Sequence, residues 1–143
     1  MIIRLYRSAD IEGVLAAWER ASRLAHPFLT EAFLDAERER IPNLYIPNTD
    51  VWVAEVDGAV VGFIALAGNE VGAIFLDPAC HGQGIGKALM DQAASLHATL
   101  EVEVFEANSV GRAFYDRYGF KFLERKKHGE TGNMLLRLAY QPA

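Results

Sequence analysis

Between Cys80 and Lys87 the chain reads Cys-His-Gly-Gln-Gly-Ile-Gly-Lys, with three glycines at every second position just before a segment whose apolar residues recur at helical spacing. Residues without a Cβ let successive main-chain N–H groups converge, and the start of a helix adds about half a positive charge. Gly82, Gln83, Gly84, Ile85, Gly86 and Lys87 are therefore suited to an anion such as a pyrophosphate. Competing nucleotide motifs fail on the residues. A GxGxxG pattern begun at Gly82 meets Lys87 where its last glycine belongs, and one begun at Gly84 meets Leu89. A P-loop ending in Gly86-Lys87 needs glycine where His81 stands and Ser or Thr where Ala88 stands, so the magnesium ligand is missing. A tight strand-to-helix turn is the plainer alternative, but it requires fewer glycines.

Two further places carry polar groups at telling spacing. Glu101 and Glu103 alternate with Val102 and Val104, which puts both carboxylates on one face of a strand, either to meet a substrate or to lie in solvent. Asn108 can cap a short helix that presents Phe114, Tyr115 and Tyr118. By spacing alone, Tyr115 reads as a half-buried aromatic. Cys80 beside His81 does not make a nucleophile–base pair, because sequence neighbours in a loop rarely hold that geometry, and packing is its expected role.

The elements that must position these groups follow from periodicity. Arg4 to Tyr6 starts an edge strand, and Ser8 is the expected N-cap of a helix with Ile11, Val14, Leu15 and Trp18 on one face, ending near His26-Pro27. Thr30 opens a second helix presenting Phe33, Leu34, Glu37 and Ile41, expected to stop before Pro42. Val51–Val56, the Asp57-Gly58 turn and Ala59–Leu66 read as a hairpin. A third strand, Val71–Leu76, precedes the glycine loop. It leads to a helix with Ile85, Ala88, Leu89, Gln92, Ala93 and Leu96 along one stripe. Leu100–Phe105 is a strand, Ser109–Tyr118 a helix closed by Gly119, and Phe120–Arg125 and Asn133–Tyr140 are strands, giving an α+β chain. The last strand, Asn133–Tyr140, reads as an exposed edge open to a second copy, so a homodimer is a further expectation.

Composition narrows the classes. The 143 residues suit one domain, spanning 1–143, and 51% hydrophobic with 23% charged residues allows a sizeable core. The formal net charge of −5 lacks the basic footprint of nucleic-acid binders, so no nucleic-acid partner is expected. One cysteine and four histidines build neither a disulfide nor a spaced zinc site, so no metal is expected. No apolar run approaches the ~20 residues of a membrane span, and Met1-Ile2-Ile3-Arg4 lacks a signal pattern. The expected setting is cytoplasmic, with no membrane partner.

The glycine loop resembles the acyl-CoA loop of the GNAT acetyltransferases, Gln/Arg-x-x-Gly-x-Gly/Ala after a strand. Gly84 and Gly86 match its glycines, and His81 stands where the family usually has Gln or Arg. Asn108 followed by Ala113, Phe114, Tyr115, Gly119 and Phe120 resembles the family's second motif in slightly compacted form. The likeness is close from about Val51 to Phe120, while the first fifty residues match only as two helices. It implies an acyl-CoA N-acyltransferase-like fold: three layers, α/β/α, around a mixed, mostly antiparallel twisted sheet with helices on both faces. Coenzyme A would lodge where the third central strand and the strand from Leu100 splay apart.

The resemblance further implies acetyl transfer from acetyl-CoA, as acetyl-donor co-substrate, to a primary amine of a small molecule or of a peptide or protein. A catalytically silent acyl-CoA-binding module is the alternative. An amine with a reference pKa near 10.4 is neutral in only about one molecule in two thousand at pH 7, and the departing thiolate needs a proton, so a base and an acid are required. By resemblance Tyr115 is the acid. Glu103, five residues before Asn108 as in the family's ribosomal-protein alanine acetyltransferases, is preferred over Glu101 as the base, with ordered water as the other route. Backbone at Ile74, Phe75 and Leu76 would pair with the pantetheine arm and stabilise the oxyanion, and Asn108 would bond the arm as well as cap its helix. His26 and Phe28 fall where the family places acceptor-binding residues, the alternative for His26 being an ordinary loop histidine.

Overall fold

A computed structural model describes residues 1–142. Seven strands, β1 (Ile2–Leu5), β2 (Asp50–Val56), β3 (Ala59–Ala67), β4 (Glu70–Leu76), β5 (Leu100–Phe105), β6 (Lys121–Lys127) and β7 (Met134–Tyr140), form one sheet in the order β1-β2-β3-β4-β5-β7-β6. Every neighbouring pair is antiparallel except β4 and β5. The period-two segments form strands because alternate residues can be buried on a covered face. In β5, Leu100, Val102 and Val104 are buried and the residues between them are half-buried. Asp57 and Gly58, at φ 52° and 81°, supply the positive angles that the β2–β3 turn demands.

Helices cover both faces, giving the expected three layers. Helices α1 (Ile11–Ala25) and α2 (Glu31–Arg40) bury Val14, Trp18 and Leu34 against Val53, Phe63 and Ala65. On the other face α3 (Ile85–Leu96) and α4 (Ser109–Tyr118) bury Ile85, Leu89, Met90, Ala93 and Tyr115 against Ile64, Leu66, Val102 and Leu138. Leu96, placed on the α3 stripe by spacing, is exposed in the last turn, and Met90 joins the buried stripe instead.

Two expectations change, and a third gains a detail. Ser8 does not cap α1: a short 3-10 turn, Ser8–Asp10, precedes it, and the Asp10 carboxylate accepts the Arg7 N–H at 2.8 Å while pairing with Arg4. Asp10 is the residue at the N-cap of α1, but its carboxylate turns back to Arg4 and the Arg7 N–H and makes no bond to the first N–H groups of that helix. As expected, α2 ends before Pro42: its last residue is Arg40, and the Ile41 N–H closes the ladder on the Glu37 carbonyl. The chain then adds one wider turn, Ile41–Tyr45, closed by the Ile46 N–H on the Ile41 carbonyl, a bond that needs no N–H from Pro42. The last strand is no edge: β7 lies between β5 and β6, and the outer strand is β6, with every residue from Lys121 to Lys127 exposed. β7 carries Leu135, Leu136 and Leu138 as buried residues, and burying them requires neighbours on both sides.

Gly62 sets how closely β3 meets β4, because a Cβ there would lie 2.8 Å from the Phe75 carbonyl oxygen. Gly62→Ala is expected to lower stability by about 1–3 kcal/mol through overpacking, read as a reduced urea midpoint at unchanged slope.

Candidate active site

The parallel ladder between β4 and β5 is short. Only Glu70 with Glu101 and Val71 with Val102 pair. Where that ladder stops, the β3–β4 register shifts so that Gly72 is an extra residue on β4. Such a bulge bends its strand and increases twist. From Ala73 to Leu76, β4 stays on β3 and leaves its other edge without a strand. The opening is a groove of about 600 Å³ whose lining includes Ile74, Phe75, Leu76, the glycine loop, Asn108 and Tyr115.

The glycine loop lies along this groove. Gly82 and Gly84 have φ of 79° and 78°, angles that L side chains rarely adopt, and a Cβ at either would meet nothing within 4 Å. Handedness rather than crowding therefore selects glycine here. The first helical bond back to the loop runs from the Ala88 N–H to the Gly84 carbonyl at 3.0 Å, so the N–H groups of Ile85, Gly86 and Lys87 lie ahead of the helix ladder at the positive end of α3. These amides, with the open loop before them, fit a diphosphate. Lys87 pairs with Asp91 at 2.7 Å, Gln83 contributes no lining surface, and His81 does. Gly86 also lets α3 approach α4, since a Cβ would sit 3.1 Å from the Phe114 ring.

A second cavity of about 200 Å³ lies between α1, α2 and the sheet, walled by Trp18, Leu34, Phe63 and Phe105 among others. It shares four residues with the groove: Ile74, Phe75, Asn108 and Tyr115. Tyr115 is 7% exposed, and burial pushes its phenol well above the usual value, so the hydroxyl stays protonated across the physiological range. Asn108 accepts the Gly111 N–H at 2.8 Å through Oδ1 and places Nδ2 3.2 Å from His26 Nε2. His26 lines this second cavity with its ring edge-on to Phe28, Phe75 and Phe105, and burial alone lowers it to about 4. Phe28 stands behind His26 and against Phe105 rather than in the lining.

Glu103 also lines the second cavity, on the β5 face it shares with Glu101 and Phe105. Its carboxylate is committed to Lys126 and, at 3.4 Å, to Arg137. Arg137 also reaches Glu70 at 2.6 Å and Glu101 at 3.1 Å. Sequence reasoning missed most of the cavity wall. Phe105 was recoverable as the next residue on the Glu101–Glu103 face. Nothing local points to His128, which does not line the cavity but backs its wall, with its ring against Phe105 and Phe33 from the β6–β7 loop.

The site thus combines a splayed parallel pair, an amide-lined glycine loop at one end of the opening and a buried phenol at its junction with a second cavity. A family model described as an acetyltransferase (GNAT) domain matches residues 47–122. The chain is 37% identical to peptidyl-lysine N-acetyltransferase YjaB of Salmonella typhimurium, over 98% of this chain and 99% of that one. The chain belongs to the GNAT acetyltransferase family. The solution structure of apo-form YjaB from Escherichia coli superposes with a TM-score of 0.88 at 31% identity, covering all of both chains. A GNAT family acetyltransferase from Elizabethkingia anophelis with acetyl-CoA bound shares the fold, with a TM-score of 0.67 at 15% identity over 99% of this chain and 97% of that one. The reaction of this GNAT chain is N-acetyl transfer with acetyl-CoA as donor, and the silent-module alternative is not favoured. Among the described residues no helix is long and apolar enough to cross a membrane.

The His26 environment has a consequence for stability. With its value lowered from 6.5 to about 4, an unfolded chain takes up a proton between those limits that the folded chain refuses. Folding stability is therefore lost as pH falls from 6.5 to about 4. His26→Phe is expected to flatten that decline, measured as melting temperature at pH 7.5 against pH 4.5. An equally steep fall in the variant removes His26 as its source.

Proposed function

We propose that this GNAT enzyme acetylates lysine side-chain amines of peptides or proteins, and that the four residues common to groove and cavity mark where the thioester meets the amine. What carries the reading is the meeting of the two cavities at Ile74, Phe75, Asn108 and Tyr115. The aromatic wall of the second cavity suits an aliphatic chain ending in an amine, the net charge of −5 favours a cationic acceptor, and the YjaB relatives carry the name peptidyl-lysine N-acetyltransferase.

In this reading the amides of the Gly82–Lys87 loop hold the diphosphate of acetyl-CoA. The pantetheine arm lies along the open edge of β4 like an added strand, with Asn108 donating to it. A main-chain N–H between Ile74 and Leu76 polarises the thioester carbonyl and stabilises the oxyanion formed when the neutral amine attacks. Tyr115, held protonated by burial, gives its proton to the departing thiolate. Of the two routes for the amine's proton, the ion pairs of Glu103 with Lys126 and Arg137 favour water, leaving Glu103 to orient the acceptor side. His26 and Phe28 shape that side.

Tyr115→Phe is expected to lower kcat by about 10² or more with acetyl-CoA affinity nearly unchanged, followed by thiol release and calorimetry. Unchanged turnover removes Tyr115 as the acid. Glu103→Gln is expected to keep kcat within about threefold, whereas a direct base would cost about 10²–10⁴. For the acceptor, an Nα-acetylated lysine peptide is expected to support thiol release that its Nε-acetylated counterpart does not. Release with spermidine or free amino acids but with no lysine peptide overturns the peptide reading.

A further inference from the structure

Asn108 lines both cavities, and its amide is engaged on two sides. Because Oδ1 accepts the Gly111 N–H at 2.8 Å, the atom facing His26 Nε2 at 3.2 Å is the NH₂ nitrogen, which can only donate. Nε2 must then carry a lone pair, so the imidazole is neutral with its proton on Nδ1. The surroundings agree. The ring packs edge-on to Phe28, Phe75 and Phe105 and meets the Asn108 amide, and although Glu37 and Glu103 line the same cavity, burial is the one cause of its lowered value. Gly111 completes the arrangement, since a Cβ there would sit 2.5 Å from Asn108 Nδ2 and 3.0 Å from its Cγ.

The NH₂ group has a second hydrogen, and the first goes to His26. We propose that His26 is a positioning residue: as the Nδ1–H tautomer it fixes the Asn108 amide so that the remaining N–H is presented to the cofactor arm. The same ring walls the acceptor cavity, so packing on the acceptor side bears on alignment of the donor. With a proton on Nε2, two donors would face each other, and either the amide would turn, breaking the α4 cap, or the contact would open.

This inference rests on the reading of Asn108 as a ligand of the cofactor arm, and the two fail separately. Calorimetry with acetyl-CoA on the full chain is expected to show Asn108→Ala weakened about tenfold, consistent with the loss of a hydrogen bond. Wild-type affinity in that variant overturns both the reading and the inference. His26→Phe keeps an aromatic ring but no acceptor and is expected to bind about fivefold more weakly. His26→Gln places a carbonyl oxygen near Nε2 and is expected to recover to within about twofold of wild type. If Asn108→Ala is weak while His26→Phe binds as wild type, or if Gln is no better than Phe, the role of His26 is overturned and Asn108 stands. Long-range ¹H–¹⁵N correlation on the wild-type chain reads the ring directly, whether or not the Phe variant folds. An Nδ1–H tautomer held from pH 7.5 to 5.5 supports the proposal, and an Nε2–H tautomer or an imidazolium in that range overturns it.

Discussion

The early end of the β4–β5 ladder is the constraint on which the site depends. Two parallel strands that pair over only two residues leave a strip of β4 with one edge on β3 and the other open. That strip, Ala73–Leu76, is at once part of the sheet and an edge that is normally a liability. Here it is not left to solvent, because the groove beside it is closed off by α4 and by the glycine loop. The bulge at Gly72 is the local cause: an extra residue on β4 turns the strand away from β5 while β3, held close by Gly62, keeps its partner.

Both ends of that opening are governed by electrostatics of opposite kinds. At the loop end, amides at the start of α3 that precede its ladder create a positive field without a basic surface, which would suit an anion in a chain of net charge −5. At the inner end, burial keeps groups neutral: the Tyr115 phenol is pushed up and the His26 imidazole down to about 4. In the proposed reaction, a junction held by neutral groups would donate and accept hydrogen bonds without repelling a cationic acceptor or an anionic leaving group. The charged residues on the Glu101–Glu103 face of β5 are paired instead, with Arg137 serving Glu70, Glu101 and Glu103 together.

The two helical layers divide the work. α3 and α4 bring the loop amides, Asn108 and Tyr115 to the groove, and Gly86 allows them to pack against each other. α1 and α2 roof the second cavity with Trp18 and Leu34, and the segment between them drops His26 and Phe28 into the seam where the layers meet. The Arg40 guanidinium ties α2 to Glu130 of the β6–β7 loop through two bonds of 2.9 Å, so the N-terminal helices and the C-terminal hairpin are held together beside the second cavity.

What the sequence determined by itself was everything with a short period or a local rule. The Asp57-Gly58 hairpin, the β5 alternation, the Thr30 and Asn108 caps, the glycine loop and the Gly119 stop each depend on residues within about four positions, where sterics and hydrogen-bond stoichiometry leave few choices. Local rules also erred where distant residues intervened: the chain enters α1 through a 3-10 turn whose Asp10 pairs with Arg4 of β1, and β7 is interior because it inserts between β5 and β6. Only the tertiary structure decided that His26 meets Asn108 across 82 positions, that Glu103 is shared by Lys126 and Arg137, and that four residues belong to two cavities at once. Such contacts are set by strand order and by where one ladder ends. Those are properties of the closed sheet, and no window of sequence contains them.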